Sequence, residues 1–145
     1  MILPVTLATA AAIALLNVWL AIRIVRIRFA TKTVNGTGGN AVLEGRMRAQ
    51  ANLVEYAPYV LIMLAGIELA GGSPTWLWIA SVAFVAVRLS HAIGMGMTGP
   101  NPWRVIGFVG TIVLTLLLAG WAIATVYSAR LPGATIVVAP VSANA

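Results

Sequence analysis

The sequence predicts an all-α integral membrane protein, a bundle of four transmembrane helices, and three observations carry that prediction. Of its 145 residues, 61% are hydrophobic and 8% are charged, against about half and about a quarter in soluble domains. The apolar residues form long continuous stretches rather than the period-two alternation of a membrane β-barrel. Turn-forming residues interrupt those stretches so that each approaches the ~20 residues needed to cross hydrocarbon as a helix. Residues 1–145 then form a single membrane domain, with no room for a separate soluble one.

The first span runs from about Leu3 to Val25 and is rich in Ala, Leu and Ile. It differs from a signal peptide in its flanks, because Arg23, Arg26, Arg28 and Lys32 follow the apolar stretch instead of preceding it. Thr31 to Asn40, with Gly36, Gly38 and Gly39, reads as a loop. The second span covers about Arg46 to Ala70 and stops at Gly71-Gly72-Ser73-Pro74. Pro58 within it predicts a kink beside the polar residues described below. The third covers about Thr75 to Met97, opening with Trp76 and Trp78 at an interface. Gly99, Pro100 and Pro102 break the chain before a fourth span from about Trp103 to Tyr127. The tail from Leu131 to Ala145 is too short to cross again.

The net charge of +6 sits at span ends and within spans, not along a soluble basic stripe, which argues against nucleic acid as partner. Such charges act on topology and on anionic lipid. Arg26, Arg28, Lys32 and Arg46 fall in or beside the first connection and Arg104 at the edge of the third, whereas the second has no basic residue. The positive-inside rule places those two basic connections in the cytoplasm and both termini on the non-cytoplasmic side. Short loops point to a bacterial inner membrane. The sequence has no cysteine, one histidine and three acids, so disulfides, thiolate metal sites and a cysteine nucleophile are excluded and a protein-built metal site is not expected.

Polar residues inside the spans are the functional signal. Arg48, Asn52 and Glu55 are spaced i, i+4, i+7 and share a face of the second helix. Arg88 and His91, spaced i, i+3, share a face of the third. From Met97, Arg88 lies ~13 Å into the membrane at 1.5 Å per residue, where an arginine costs ~2.5–3.5 kcal/mol on insertion scales. An arginine there faces protein or a wet cavity. An interhelical Glu55–Arg88 ion pair that only fixes packing is one reading. A ligand site is the other: Arg48, Arg88 and Arg104 outnumber Glu55, a surplus best relieved by an anion.

These residues carry a resemblance. The segment RAQANLVEYAP, from Arg48 to Pro58, resembles the second-helix signature of the MAPEG family, the membrane-associated proteins of eicosanoid and glutathione metabolism. RLSHAIGM, from Arg88 to Met95, is similar to its Arg-x-x-His third-helix segment, in the manner of bacterial members. The likeness extends over the whole chain, including an arginine opening the fourth span. It implies a homotrimer of four-helix subunits holding glutathione as co-substrate near the cytoplasmic side.

Under that resemblance Arg48 and Arg88 would hold glutathione carboxylates as bidentate forks. Glu55 would receive the ammonium, with Gln50, Asn52, Tyr56 and His91 lining the site and Arg26 reaching it from the first helix. Arg104 would be the catalytic residue, favouring thiolate over thiol. The reaction would be glutathione transfer to a hydrophobic electrophile, or reduction of a lipid hydroperoxide, with substrates arriving through membrane lipid. Two positions depart from the family pattern: Met95 replaces a frequent Tyr, and Val105 follows Arg104 where a hydroxyl is expected. An alternative function is a non-catalytic lipid-binding or scaffold protein of the same family. A transporter or channel fits less well, because the third span is apolar from Leu77 to Val87.

Overall fold

The computed structural model describes residues 2–97 and 99–129. They form four α-helices, α1 Pro4–Thr31, α2 Ala41–Leu69, α3 Pro74–Gly94 and α4 Pro102–Ala129, each long and apolar enough to cross a bilayer. Thr98, Arg130 and the tail predicted from Leu131 to Ala145 lie outside the described residues.

The helices start and stop where backbone chemistry requires, not where polarity changes. α1 continues past Val25 to Thr31, because the arginines in between are good helix formers. It ends at Lys32, whose φ of 53° is left-handed and whose N–H turns back to the Arg28 and Phe29 carbonyls. α2 begins at Ala41 instead of Arg46, since Asn40 Oδ1 accepts hydrogen bonds from the Val42 and Leu43 amides at 3.0 Å. Pro4 and Pro74 open their helices at positions where a missing N–H costs nothing. α2 passes through Pro58 without ending. α3 stops at Gly94, short of the predicted Met97. At ~1.5 Å per residue the 28 residues of α1 reach ~42 Å, longer than the ~30 Å hydrocarbon layer, so the helix ends emerge into headgroups.

α2 and α3 lie between α1 and α4, which share no contact among the described residues. Leu53, Ala57, Val60, Leu64 and Ile67 form a buried stripe along α2 at alternating four- and three-residue spacing. Val5, Ile13 and Leu20 from α1, Leu77 and Phe84 from α3 and Leu118 from α4 complete the core. The outside is also apolar: Leu15, Ile62 and Ile123 are 72%, 70% and 70% exposed. Water would penalise such a surface and lipid does not.

Because lipid supplies little hydrophobic drive between helices, polar clasps and close backbone approach set the register. Thr9 and Ser81 hydroxyls bond α1 to α3, and Gln50 donates to Asn17 at 3.1 Å between α2 and α1. Glu68, near the end of α2, accepts from the Val5 amide at 2.9 Å, the Thr6 amide at 2.9 Å and the Thr6 hydroxyl at 2.7 Å. Its carboxylate thus satisfies the unpaired amides at the start of α1, where the helix dipole favours negative charge. At the opposite end Arg23 donates to the Ala92 carbonyl at 3.2 Å, and Arg46 to the Arg23 carbonyl at 2.9 Å. α3 and α4 make the most extensive contact. Any Cβ at Gly107 would strike the His91 backbone, and one at Gly94 would strike the Arg104 backbone. Those two glycines bring His91 and Arg104 together.

Candidate functional site

A cavity of about 640 Å³ opens between α2, α3 and α4 near the basic ends of the helices. Arg48, Asn52 and Glu55 line it from α2, as their shared face requires. His91 closes the α3 side, and Arg104, Val105 and Phe108 form the α4 wall beside Met95. The α2 wall thus carries a guanidinium, a carboxamide and a carboxylate, and the α4 wall sets a second guanidinium, Arg104, beside the apolar Val105 and Phe108.

Beneath the polar wall lies Arg88, 1% exposed. Its Nη1 donates to Asn52 Oδ1 at 2.9 Å and to Thr111 Oγ1 at 3.2 Å. With its oxygen held, Asn52 presents its Nδ2 to Glu55 Oε2 at 3.4 Å. Arg88 and Glu55 are therefore linked through Asn52 and are not a direct ion pair. Thr111 is itself oriented by donating to the Gly107 carbonyl at 2.7 Å. Tyr56 lies with its ring centre 5.9 Å from the Arg88 guanidinium carbon, within range of a cation–π contact. Arg88 Nε has no hydrogen-bond partner, and no acid among the described residues pairs with this buried charge. Leaving a buried cation without a counter-ion is costly, and that cost makes the region the candidate functional site.

The rim is less constrained. Arg48 pairs with Glu44 one turn earlier at 3.3 Å, with side chains 73% and 53% exposed. Such a pair contributes roughly 0.3–0.5 kcal/mol, so Arg48 is readily redirected to another anion. His91 Nδ1 lies 3.4 Å from the Arg104 carbonyl. A carbonyl only accepts, so Nδ1 carries the proton there and a neutral ring offers Nε2 as acceptor.

Of the residues singled out from sequence, Arg48, Asn52, Glu55, His91 and Arg104 meet on the cavity wall, with Arg88 behind them and Tyr56 beside Arg88. Gln50 instead turns to Asn17 on α1. Arg26 is exposed and lines neither this cavity nor its extension. Two participants were not foreseen. Glu44 engages Arg48, and Thr111 anchors Arg88. The spacing Arg104, Phe108, Thr111 repeats the i, i+4, i+7 pattern of Arg48, Asn52, Glu55, and that repeat is the signal that points to Thr111.

A second cavity of about 660 Å³ shares Arg48, Met95, Arg104 and Val105 with the first and extends to the α3–α4 connection at Gly99, Pro100 and Asn101. The two adjoin along these shared residues, the second lying on the helix-end side of the first.

Four apolar helices around an intramembrane polar cavity define an integral membrane protein with four spans. The model of the MAPEG family matches residues 6–124, and the chain belongs to that family. It is also similar to the inner membrane protein YecN of Escherichia coli strain K12, at 30% identity over 71 residues, 49% of this chain and 54% of that protein. YecN of Escherichia coli O6:H1 matches to the same extent. The chain thus aligns with about half the length of these curated relatives.

Proposed function

We propose that the cavity binds glutathione and that the protein is a membrane glutathione transferase or peroxidase for hydrophobic electrophiles or lipid hydroperoxides. The observation that carries this reading is the cavity's mixed lining, with Arg48, Asn52 and Glu55 on the α2 side and Arg104 beside the apolar Val105 and Phe108 on the α4 side. Glutathione has two carboxylates and one ammonium, and that donor set suits it. Arg48 exchanges Glu44 for a carboxylate, and Glu55, steadied by Asn52, receives the ammonium. Arg88 acts from below by fixing Asn52. Bound glutathione supplies the nucleophilic or reducing sulfur. Arg104 places positive charge at the cavity to favour the thiolate.

The groove towards Asn101 gives a water-soluble thiol an approach from the helix ends. Phe108 and Val105 form the α4 wall and are also exposed on the outside of the bundle, the side from which an apolar substrate arrives. With the basic ends cytoplasmic, the protein would sit in a bacterial inner membrane as a homotrimer.

Reconstituted in nanodiscs, the protein should bind glutathione saturably and conjugate it to 1-chloro-2,4-dinitrobenzene or reduce cumene hydroperoxide. Arg104→Ala should lower kcat about 10²-fold, the scale of losing one preorganised electrostatic group. Absence of saturable glutathione binding rejects the proposal. A lipid-binding, non-catalytic role has one observation in its favour, an apolar cavity of about 380 Å³ between Trp76, Leu114, Leu117 and Trp121. Copurified lipid there, with no response to glutathione, would select it.

A further inference from the structure

The extension of α1 creates a feature whose lining shares no residue with the cavity. Its last turns carry Arg28 and Phe29, and the left-handed Lys32 reverses the chain so that Val34 returns beside them. Arg28 fixes the reversal, donating through Nη1 to the Val34 carbonyl at 3.0 Å and through Nη2 to Met47 Sδ at 3.4 Å. The result is a trough of about 480 Å³ lined by Val25, Arg28, Phe29, Lys32, Thr33 and Val34. Its apolar walls stand out from the protein, with Phe29 81% and Val34 84% exposed.

Two cations edge this trough and no acid does. The sequence contains three acids, all engaged elsewhere: Glu44 with Arg48, Glu55 with Asn52 and Glu68 with the start of α1. The Lys32 ammonium has no hydrogen-bond or ion-pair partner among the described residues. An occupant that complements this surface has one negative charge at the Lys32 end and a hydrocarbon chain along Val25 and Phe29. A helix longer than the hydrocarbon layer puts this turn at headgroup depth. We infer that the trough is a binding site for a single anionic phospholipid, with its phosphate at Lys32 and Arg28 and an acyl chain along Phe29.

Native mass spectrometry of the full chain tests this, after reconstitution with phosphatidylglycerol and phosphatidylcholine of matched acyl chains. Phosphatidylglycerol should remain bound in preference to phosphatidylcholine. Lys32→Gln should lower its retention about five-fold, equivalent to the ~1 kcal/mol of one basic residue near an anionic surface. Phe29→Ser, which changes no charge, should also lower it. Arg26→Gln makes the same charge change outside the trough and should leave retention near the wild-type level. Equal retention of both lipids, an unaffected Lys32→Gln variant, or equal losses from Lys32→Gln and Arg26→Gln would each overturn the proposal.

Discussion

Arg88 carries a positive charge into the packing between α2, α3 and α4 and receives only neutral partners, Asn52 and Thr111. A residue present only for packing would be replaced without loss by an apolar side chain of similar reach, and buried charges often tolerate such replacement. Arg88→Met should therefore keep or raise the melting temperature in detergent. It should nevertheless weaken glutathione binding ten-fold or more, in keeping with the ~1.5–3 kcal/mol of a charge-assisted hydrogen bond, because Asn52 loses its anchor. Arg88→Ala removes volume as well, and large-to-small core changes cost ~2–5 kcal/mol, so its melting temperature should fall. If Arg88→Met binds glutathione normally, Arg88 has only a packing role. The sequence placed Arg88 and Glu55 near one another by depth, but the identity of the intervening group was hidden. Asn52 bridges them through both ends of its carboxamide, a fact of rotamer and helix rotation that spacing does not contain.

At the scale of the element, the contact of α3 with α4 depends on Gly107 and Gly94, because side chains there would enter opposing backbone. Gly107→Ala should destabilise the protein by about 1–3 kcal/mol, as overpacking does, and should move His91 away from Arg104. Gly120 on the same helix meets nothing within 4 Å, so Gly120→Ala should be neutral or raise stability by the ~0.5–1 kcal/mol that alanine gains over glycine. Thermal unfolding of both variants in one detergent checks the contrast. The four helices and their order were legible because apolar length is a direct imprint of the bilayer. Their ends were less so. Hydropathy ended α1 at Val25, where lipid-compatible sequence stops, whereas the backbone remains helical until Lys32. Asn40 reads from sequence as a loop residue, although its side chain caps α2. Glu68 was invisible as a cap for a different reason: its partners lie 62 and 63 residues away.

For the whole molecule, the arrangement of charge predicts an orientation that the lack of native cysteine makes easy to measure. Single substitutions Asn35→Cys and Ser73→Cys, in the first and second connections, should react with an impermeant maleimide from opposite sides of the membrane. Asn35→Cys should be labelled from the cytoplasm. Labelling from the same side would refute the four-span topology. The proposed trimer predicts a particle of three chains in native mass spectrometry, with Glu55, exposed on a single subunit, protected once the subunits assemble. A stable monomer that turns over glutathione would remove the need for that assembly.

The Glu68 clasp also bears on how the protein is made. When the first span leaves the ribosome, the amides of Val5 and Thr6 lack their acceptor, which is 62 or 63 residues downstream. At the ~5–20 residues per second of translation, several seconds pass before it is synthesised. During that interval the amino-terminal end must stay in contact with water or the insertion machinery. The clasp that ties the start of α1 to the end of α2 is therefore completed only once both helices have been made.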